Sequence, residues 1–398
     1  MCITKGFLLG FTMLLKVYTG TAQSPETFTH RIIDQTPPEN IWIKNSADFN
    51  ADGYVDLLIG GHNGHTSDLI IWYQNPGNIC GTWIKHIVYQ GGDAYGFEGG
   101  ATGDLDGDGD LDLVMGSYWQ HKLLWLENKG EDFTQWELHE LGIPKSGTTY
   151  LHDFNRDGKL DIITRASQKY SGEVGQQIWI WKQNNIATWT KYSKYIGDGE
   201  FFNIGDVDMD GELDIVFANK WLRNNRDIDV GTWEEYTFTE AYTWLCTFPV
   251  VADVNMDGRN DIVLTPTVWS GEYAKTAWYE APKKRTTENW AEHIIENNIE
   301  CVTHALGVYD FDCDGAVDVF AAEMNSGEDP DEVRIYYNQD NKGNTWKKSV
   351  IAVGGSHMNQ FIDIDLDGDI DIIGGNHGGI TRPLIEMWIN NTNPLPRQ

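Results

Sequence analysis

The residues best equipped for chemistry in this chain are aspartates, and they recur in a fixed pattern. D-x-[DN]-x-D-G-x-x-D occurs seven times, starting at Asp48, Asp104, Asp153, Asp206, Asp253, Asp310 and Asp363. Side-chain oxygens at positions one, three, five and nine, with the carbonyl of position seven, suit Ca2+, which takes six to eight oxygens at about 2.3–2.6 Å. The candidate ligands are Asp48, Asn50, Asp52 and Asp56 in the first loop, and Asp104, Asp106, Asp108 and Asp112 in the second. The third and fourth loops offer Asp153, Asn155, Asp157, Asp161, and Asp206, Asp208, Asp210, Asp214. The last three offer Asp253, Asn255, Asp257, Asp261, then Asp310, Asp312, Asp314, Asp318, then Asp363, Asp365, Asp367, Asp371. Glycine at position six permits the sharp turn. An EF-hand would need glutamate at position twelve, where the repeats carry Ile59, Met115, Thr164, Phe217, Leu264, Ala321 and Gly374. About seven structural calcium ions are expected.

Histidine supplies the second chemistry. Six residues before each first aspartate the repeats read Trp42, Glu98, Gly147, Glu200, Thr247, His304 and His357. Six residues after each last aspartate they read His62, Tyr118, Ser167, Lys220, Thr267, Met324 and His377. His304, His357, His377 and His62 fall in repeats six, seven and one, with Glu98 and Tyr118 in the next and Arg382 in the same loop as His377. Imidazoles that titrate near neutrality serve as base or acid. Three of them with a carboxylate could instead hold Zn2+ or another divalent ion. Trp119, Trp221 and Trp269 offer flat faces for sugar rings, with Glu98 and Lys220 as polar partners. His86, His139 and His293 fall on outer strands and read as structural, as do Trp83, Trp136, Trp290 and Trp346.

These positions need a frame, and the repeat dictates one. The loops are spaced 56, 49, 53, 47, 57 and 53 residues apart, close to the length of a four-stranded propeller blade. Each loop precedes an apolar run such as DLVMG or DIVLT, followed by an aromatic alternating run and a third often opened by tryptophan. With the strand before the loop, that makes four. The last repeat ends at Met387-Trp388-Ile389-Asn390 without a fourth strand, and Phe28–Ile33 resembles the missing one. An all-β, closed seven-bladed β-propeller over residues 23–398 follows, its N-terminal strand completing the last blade and removing the open edge.

At this point the loops resemble the FG-GAP/VCBS repeats of integrin-type and bacterial secreted propellers. The chain is similar, more narrowly, to propeller-fold ulvan lyases and to the propeller of aldos-2-ulose dehydratase, which perform β-elimination on sugars. The resemblance implies a carbon–oxygen lyase, either polysaccharide lyase or dehydratase, acting on an anionic, uronate-containing saccharide such as ulvan. It implies His357 or His377 as base, Tyr118 or another histidine as acid, and Arg382, Lys220 or a metal ion steadying the enolate-like charge. The alternative is a non-catalytic propeller that binds glycans or proteins on the same face. A two-carboxylate glycosidase is disfavoured, because Glu98 and Glu200 stand two repeats apart.

Composition narrows the partners further. A net charge of −31 excludes nucleic acid as the main partner. Of the 60 acidic residues, 25 are candidate ligands, so much of this charge would be offset by bound cations. Residues 1–22 read as a signal peptide, with Gly6–Leu15 as apolar core and Lys16 ending a run too short to span a membrane. A secreted or periplasmic protein without a transmembrane segment after cleavage is expected. Cys80, Cys246, Cys301 and Cys313 allow three pairings or none.

Overall fold

Each aspartate-rich loop is followed by an unbroken apolar run because its strand is covered on both sides. A computed structural model of the chain describes residues 27–63, 67–91, 96–117, 119–130, 135–143, 147–165, 176–244, 246–267, 269–286, 289–328, 330–376 and 384–392. In it, every run is the second strand of a four-stranded antiparallel sheet, and there are seven such sheets. Asp112–Ser117, Asp261–Pro266 and Asp318–Glu323 are buried at every residue. With a neighbouring blade on either face there is no solvent side to alternate with. The outermost strands, such as Ile84–Gly91, do alternate with solvent.

The innermost strands are Ile41–Ala47, Phe97–Gly103, Thr148–His152, Asn203–Gly205, Thr247–Ala252, Thr303–Tyr309 and Gln360–Ile362. The seventh blade is completed as the sequence predicts. Phe28–Asp34 pairs antiparallel with Ile385–Asn390, placing Phe28 opposite Asn390 and His30 opposite Trp388. Seven apolar clusters fill the seven junctions between adjacent blades, including the closing one, where Ile41, Leu57 and Ile59 meet Ile373, Ile385 and Met387.

Two polar devices repeat around the ring. An amide at the end of the third strand reaches back to the preceding blade's loop: Asn75 donates to the Ile364 carbonyl (3.3 Å), Gln183 to Leu105 (2.8 Å), Asn338 to Val254 (3.1 Å) and Asn390 to Phe311 (2.8 Å). Asn338 also accepts from the Gly343 N–H at 3.0 Å and is 1% exposed. Removing such a side chain leaves buried backbone groups unpaired, at about 1–3 kcal/mol. Asn338→Ala is expected to lose that much in urea unfolding, and a loss below about 0.5 kcal/mol would make the stitch incidental.

The second device is on the rim. His86, His139 and His293 stack on Trp72, Trp125 and Trp278 with ring centroids 4.3, 4.5 and 4.1 Å apart. Their ring nitrogens meet Gln74 (3.2 Å), Glu127 (2.6 Å) and Glu280 (3.1 Å). These outer-strand histidines are structural, as expected. Trp83, Trp136, Trp290 and Trp346 pack in the blade junctions. The four described cysteines are free thiols. Among the described residues no helix is long and apolar enough to cross a membrane.

Candidate functional site

Residues six places before the loops open the innermost strands, so ring closure brings them to the axis on the face away from the loops. Four of them form a continuous row across it. Trp42 of blade one sets its edge against His357 of blade seven at 5.2 Å. His357 stacks on His304 of blade six, with centroids 5.3 Å apart and planes 23° apart. His304 Nε2 lies 3.2 Å from Oε2 of Glu200 in blade four, and its Nδ1 lies 3.1 Å from the Val302 carbonyl. Phe201 closes the row with its ring edge-on to His304 at 5.4 Å and stacks on Phe248 of blade five.

His304 thus faces an acceptor on each nitrogen, a carbonyl and a carboxylate. The carbonyl contact is a hydrogen bond donated by Nδ1–H, which leaves Nε2 turned toward the carboxylate. The segment carrying Glu200 is held from blade three: Arg165 donates to the carbonyls of Phe201 (3.2 Å) and Gly197 (2.9 Å). Burial pushes the Arg165 guanidinium down to about 10.

Below this row the axis opens into a cavity of about 500 Å3 lined by all seven innermost strands. Among the described residues that line it, Lys44 is the one with an ionisable basic or acidic group that carries charge in water. Burial alone pushes its amine down to about 7, and its Nζ donates to the Ile41 carbonyl at 3.3 Å.

The opposite face carries the aspartate loops. In each, the first aspartate accepts from the backbone N–H groups of positions five and six, as Asp48 does from Asp52 (3.1 Å) and Gly53 (2.8 Å). Position six is a glycine with φ between 83° and 101° in all seven loops. Position four is also left-handed in every loop, at Ala51, Gly107, Arg156, Met209, Met256, Cys313 and Leu366. The position-nine aspartate has a further task. Asp112 accepts from Leu105 at the start of its loop (3.0 Å) and from Asn128 at the end of the third strand (2.9 Å). Asp161, Asp214, Asp318 and Asp371 repeat this clasp. The donor set fits a hard cation. Ligand oxygens of Asp104, Asp106 and Asp108, of Asp206, Asp208 and Asp210, of Asp310, Asp312 and Asp318, and of Asp363, Asp365 and Asp371 lie within 4.8 Å of one another.

Residues 48–115 and 104–164 match the model of the FG-GAP-like repeat. The chain is a seven-bladed β-propeller with FG-GAP-like repeats in residues 48–164. No curated protein sequence matches the chain. Among solved structures it is similar to a lectin of Agrocybe aegerita that recognises non-reducing terminal N-acetylglucosamine, at 16% identity and a TM-score of 0.51, covering 88% of this chain and 85% of that one. It is also similar to BBS1N, solved in complex with ARL6DN, at 9% identity and a TM-score of 0.51, covering 92% and 96%. The biofilm matrix protein Bap1 of V. cholerae matches at 11% identity and a TM-score of 0.45, covering 91% and 89%. At these identities the likeness is one of fold.

Of the residues six places after the loops, Lys220, Thr267 and Met324 are described with their side chains. Trp221, expected as a sugar platform, is instead fully buried between blades four and five beside Tyr236. Its indole belongs to the core because it points into a blade junction. Lys220 stays near the surface but is paired with Glu235 of its own blade at 2.6 Å. Trp119 is exposed, and a side chain at Gly96 would collide with its ring. Glu98 lies on an irregular stretch where the pairing register shifts before Ala101. His377, Arg382 and Tyr118 lie outside the described residues, and for His62 and Trp269 only the backbone is described.

His304 and His357 are 4% and 1% exposed, so they do not stand on an open face as their register alone suggests. Sequence reasoning missed Glu200 as the partner of His304, although both hold the same register position. It missed Arg165 and Lys44 altogether, each the lone cation in an apolar strand.

Proposed function

We propose that this protein is a secreted, calcium-stabilised propeller that acts on an anionic, uronate-containing saccharide by β-elimination at the axial mouth. The observation that carries the reading is His304, pinned between the Glu200 carboxylate and the Val302 carbonyl and stacked on His357. His357 takes the proton α to the sugar carboxylate, the carbon–oxygen bond at the β carbon breaks, and a carbon–carbon double bond forms. His304 returns a proton to the leaving oxygen. A leaving sugar makes the reaction a polysaccharide lyase; a leaving hydroxyl makes it a dehydratase. The seven loops hold Ca2+ away from this chemistry, and residues 1–22 direct export.

The test is absorbance of the unsaturated product on a panel of ulvan, pectate and alginate. Glu200→Gln should lower turnover by ~100-fold or more, because it removes the carboxylate that faces Nε2 of the proposed acid. Full activity in Glu200→Gln and His304→Gln would sink the mechanism. The burial of both imidazoles favours a second reading, in which the mouth binds a glycan or protein without turnover. Saturable calorimetric binding of an oligosaccharide with no product across the panel would establish it.

A further inference from the structure

A lysine ammonium taken out of water normally sits beside a carboxylate, because an uncompensated charge in the interior is costly. Lys44 breaks that pattern. It is 5% exposed, it projects from the middle of Ile41–Ala47, and Gly375 of blade seven approaches its stem. Among the described residues no carboxylate lies within ion-pairing distance of it, and the Ile41 carbonyl engages one of its three donors. The lining beside it carries polar side chains from three other blades, Thr148, Asn203 and Gln360. Trp42, two residues along the same strand, touches His357 above and lines the cavity below. The volume of about 500 Å3 falls within the range of small-molecule sites.

We infer that the axial cavity is a binding site for the carboxylate group of a sugar acid, with Lys44 as its counter-charge and the amide and hydroxyl side chains around it taking sugar hydroxyls. The carboxylate comes from the unpaired cation; only the sugar part rests on the saccharide reading above. A chain of net charge −31 that keeps a buried lysine without a carboxylate partner in the lining of its axial cavity favours anions there, because a bound anion supplies the charge that stabilises the ammonium form. The lining also includes Trp42, which touches His357, and Met358, which follows it in the chain.

The test is calorimetry on the full chain in calcium, with glucuronate, glucose and sulfate as separate titrants, for the wild type and Lys44→Met. Saturable glucuronate binding is expected, at least roughly 30-fold weaker for glucose and weakened by the same factor in Lys44→Met. Lys44→Met should melt no lower than the wild type, since an apolar side chain of similar volume replaces an unpaired charge. Equal binding of glucose, equal binding of sulfate, or undiminished glucuronate binding in Lys44→Met would each overturn the inference. A variant that fails to fold would make Lys44 structural and leave the wild-type comparison of the three titrants to decide. Glucuronate binding without turnover on any polysaccharide would defeat the elimination and leave the cavity site standing. Turnover indifferent to Lys44→Met would do the reverse.

Discussion

In excess chelator the melting temperature of this protein is expected to fall by ~20 °C or more, and added calcium to restore it. Each ion held at 100 times its dissociation constant contributes about 2.7 kcal/mol by mass action. Several such sites together exceed the usual margin of about 5–15 kcal/mol. Asp106→Ala should remove about one site's share and leave the other loops loaded. An ion-free fold has a second weakness at position nine. Burial pushes Asp56 up to about 6, Asp112, Asp161, Asp214, Asp261 and Asp318 up to about 7, and Asp371 up to about 8.

In the unfolded chain these groups titrate near 3.9. The folded form therefore holds protons that the unfolded form has released. Chelated protein should lose stability progressively as pH rises from about 4 to about 8 and level off above that. A bound divalent cation favours the ionised form and reverses this slope. Melting curves that coincide with and without chelator at every pH would refute structural calcium.

Deleting residues 28–34 is expected to abolish cooperative folding of the ring, although every aspartate loop remains in the chain. The deletion uncovers Ile385–Asn390, whose six residues are all buried, and leaves its backbone as an open edge. Phe28 leaves the junction between blades six and seven, at about 3–5 kcal/mol if its loss resembles that of a buried phenylalanine. Asp34, which accepts from Tyr73 at 2.7 Å and pairs with Lys85 at 2.6 Å, no longer ties blade seven to blade one. Size-exclusion chromatography should show association through the exposed edge, and a synthetic peptide of residues 27–36 should restore the monomer. A truncated chain that stays monomeric and melts where the intact one does would mean the ring is held by its other junctions alone.

Local patterns determined most of the frame. An aspartate loop is a nine-residue object whose hydrogen bonds run between neighbours in the chain, so Asp48, Asn50, Asp52 and Gly53 announce their turn without reference to anything distant. Seven copies at blade spacing count the blades, and the unmatched strand Phe28–Asp34 shows how the ring closes. Even the grouping of His304, His357 and Trp42 was visible as register, because each stands the same number of residues before its loop.

Tertiary structure decided what those residues meet. His304 and Glu200 are 104 positions apart in the chain, and only the narrowness of a seven-bladed axis sets blades four and six within 3.2 Å of each other. Packing also sent Trp221 into a blade junction and left Lys220 with Glu235. Lys44 and Arg165 looked like interruptions in apolar strands, because sequence does not record which side of a strand faces a cavity and which faces a neighbour. Local hydrogen bonding is written into short segments; proximity across a closed ring is a property of its radius, which exists only after all seven blades have packed.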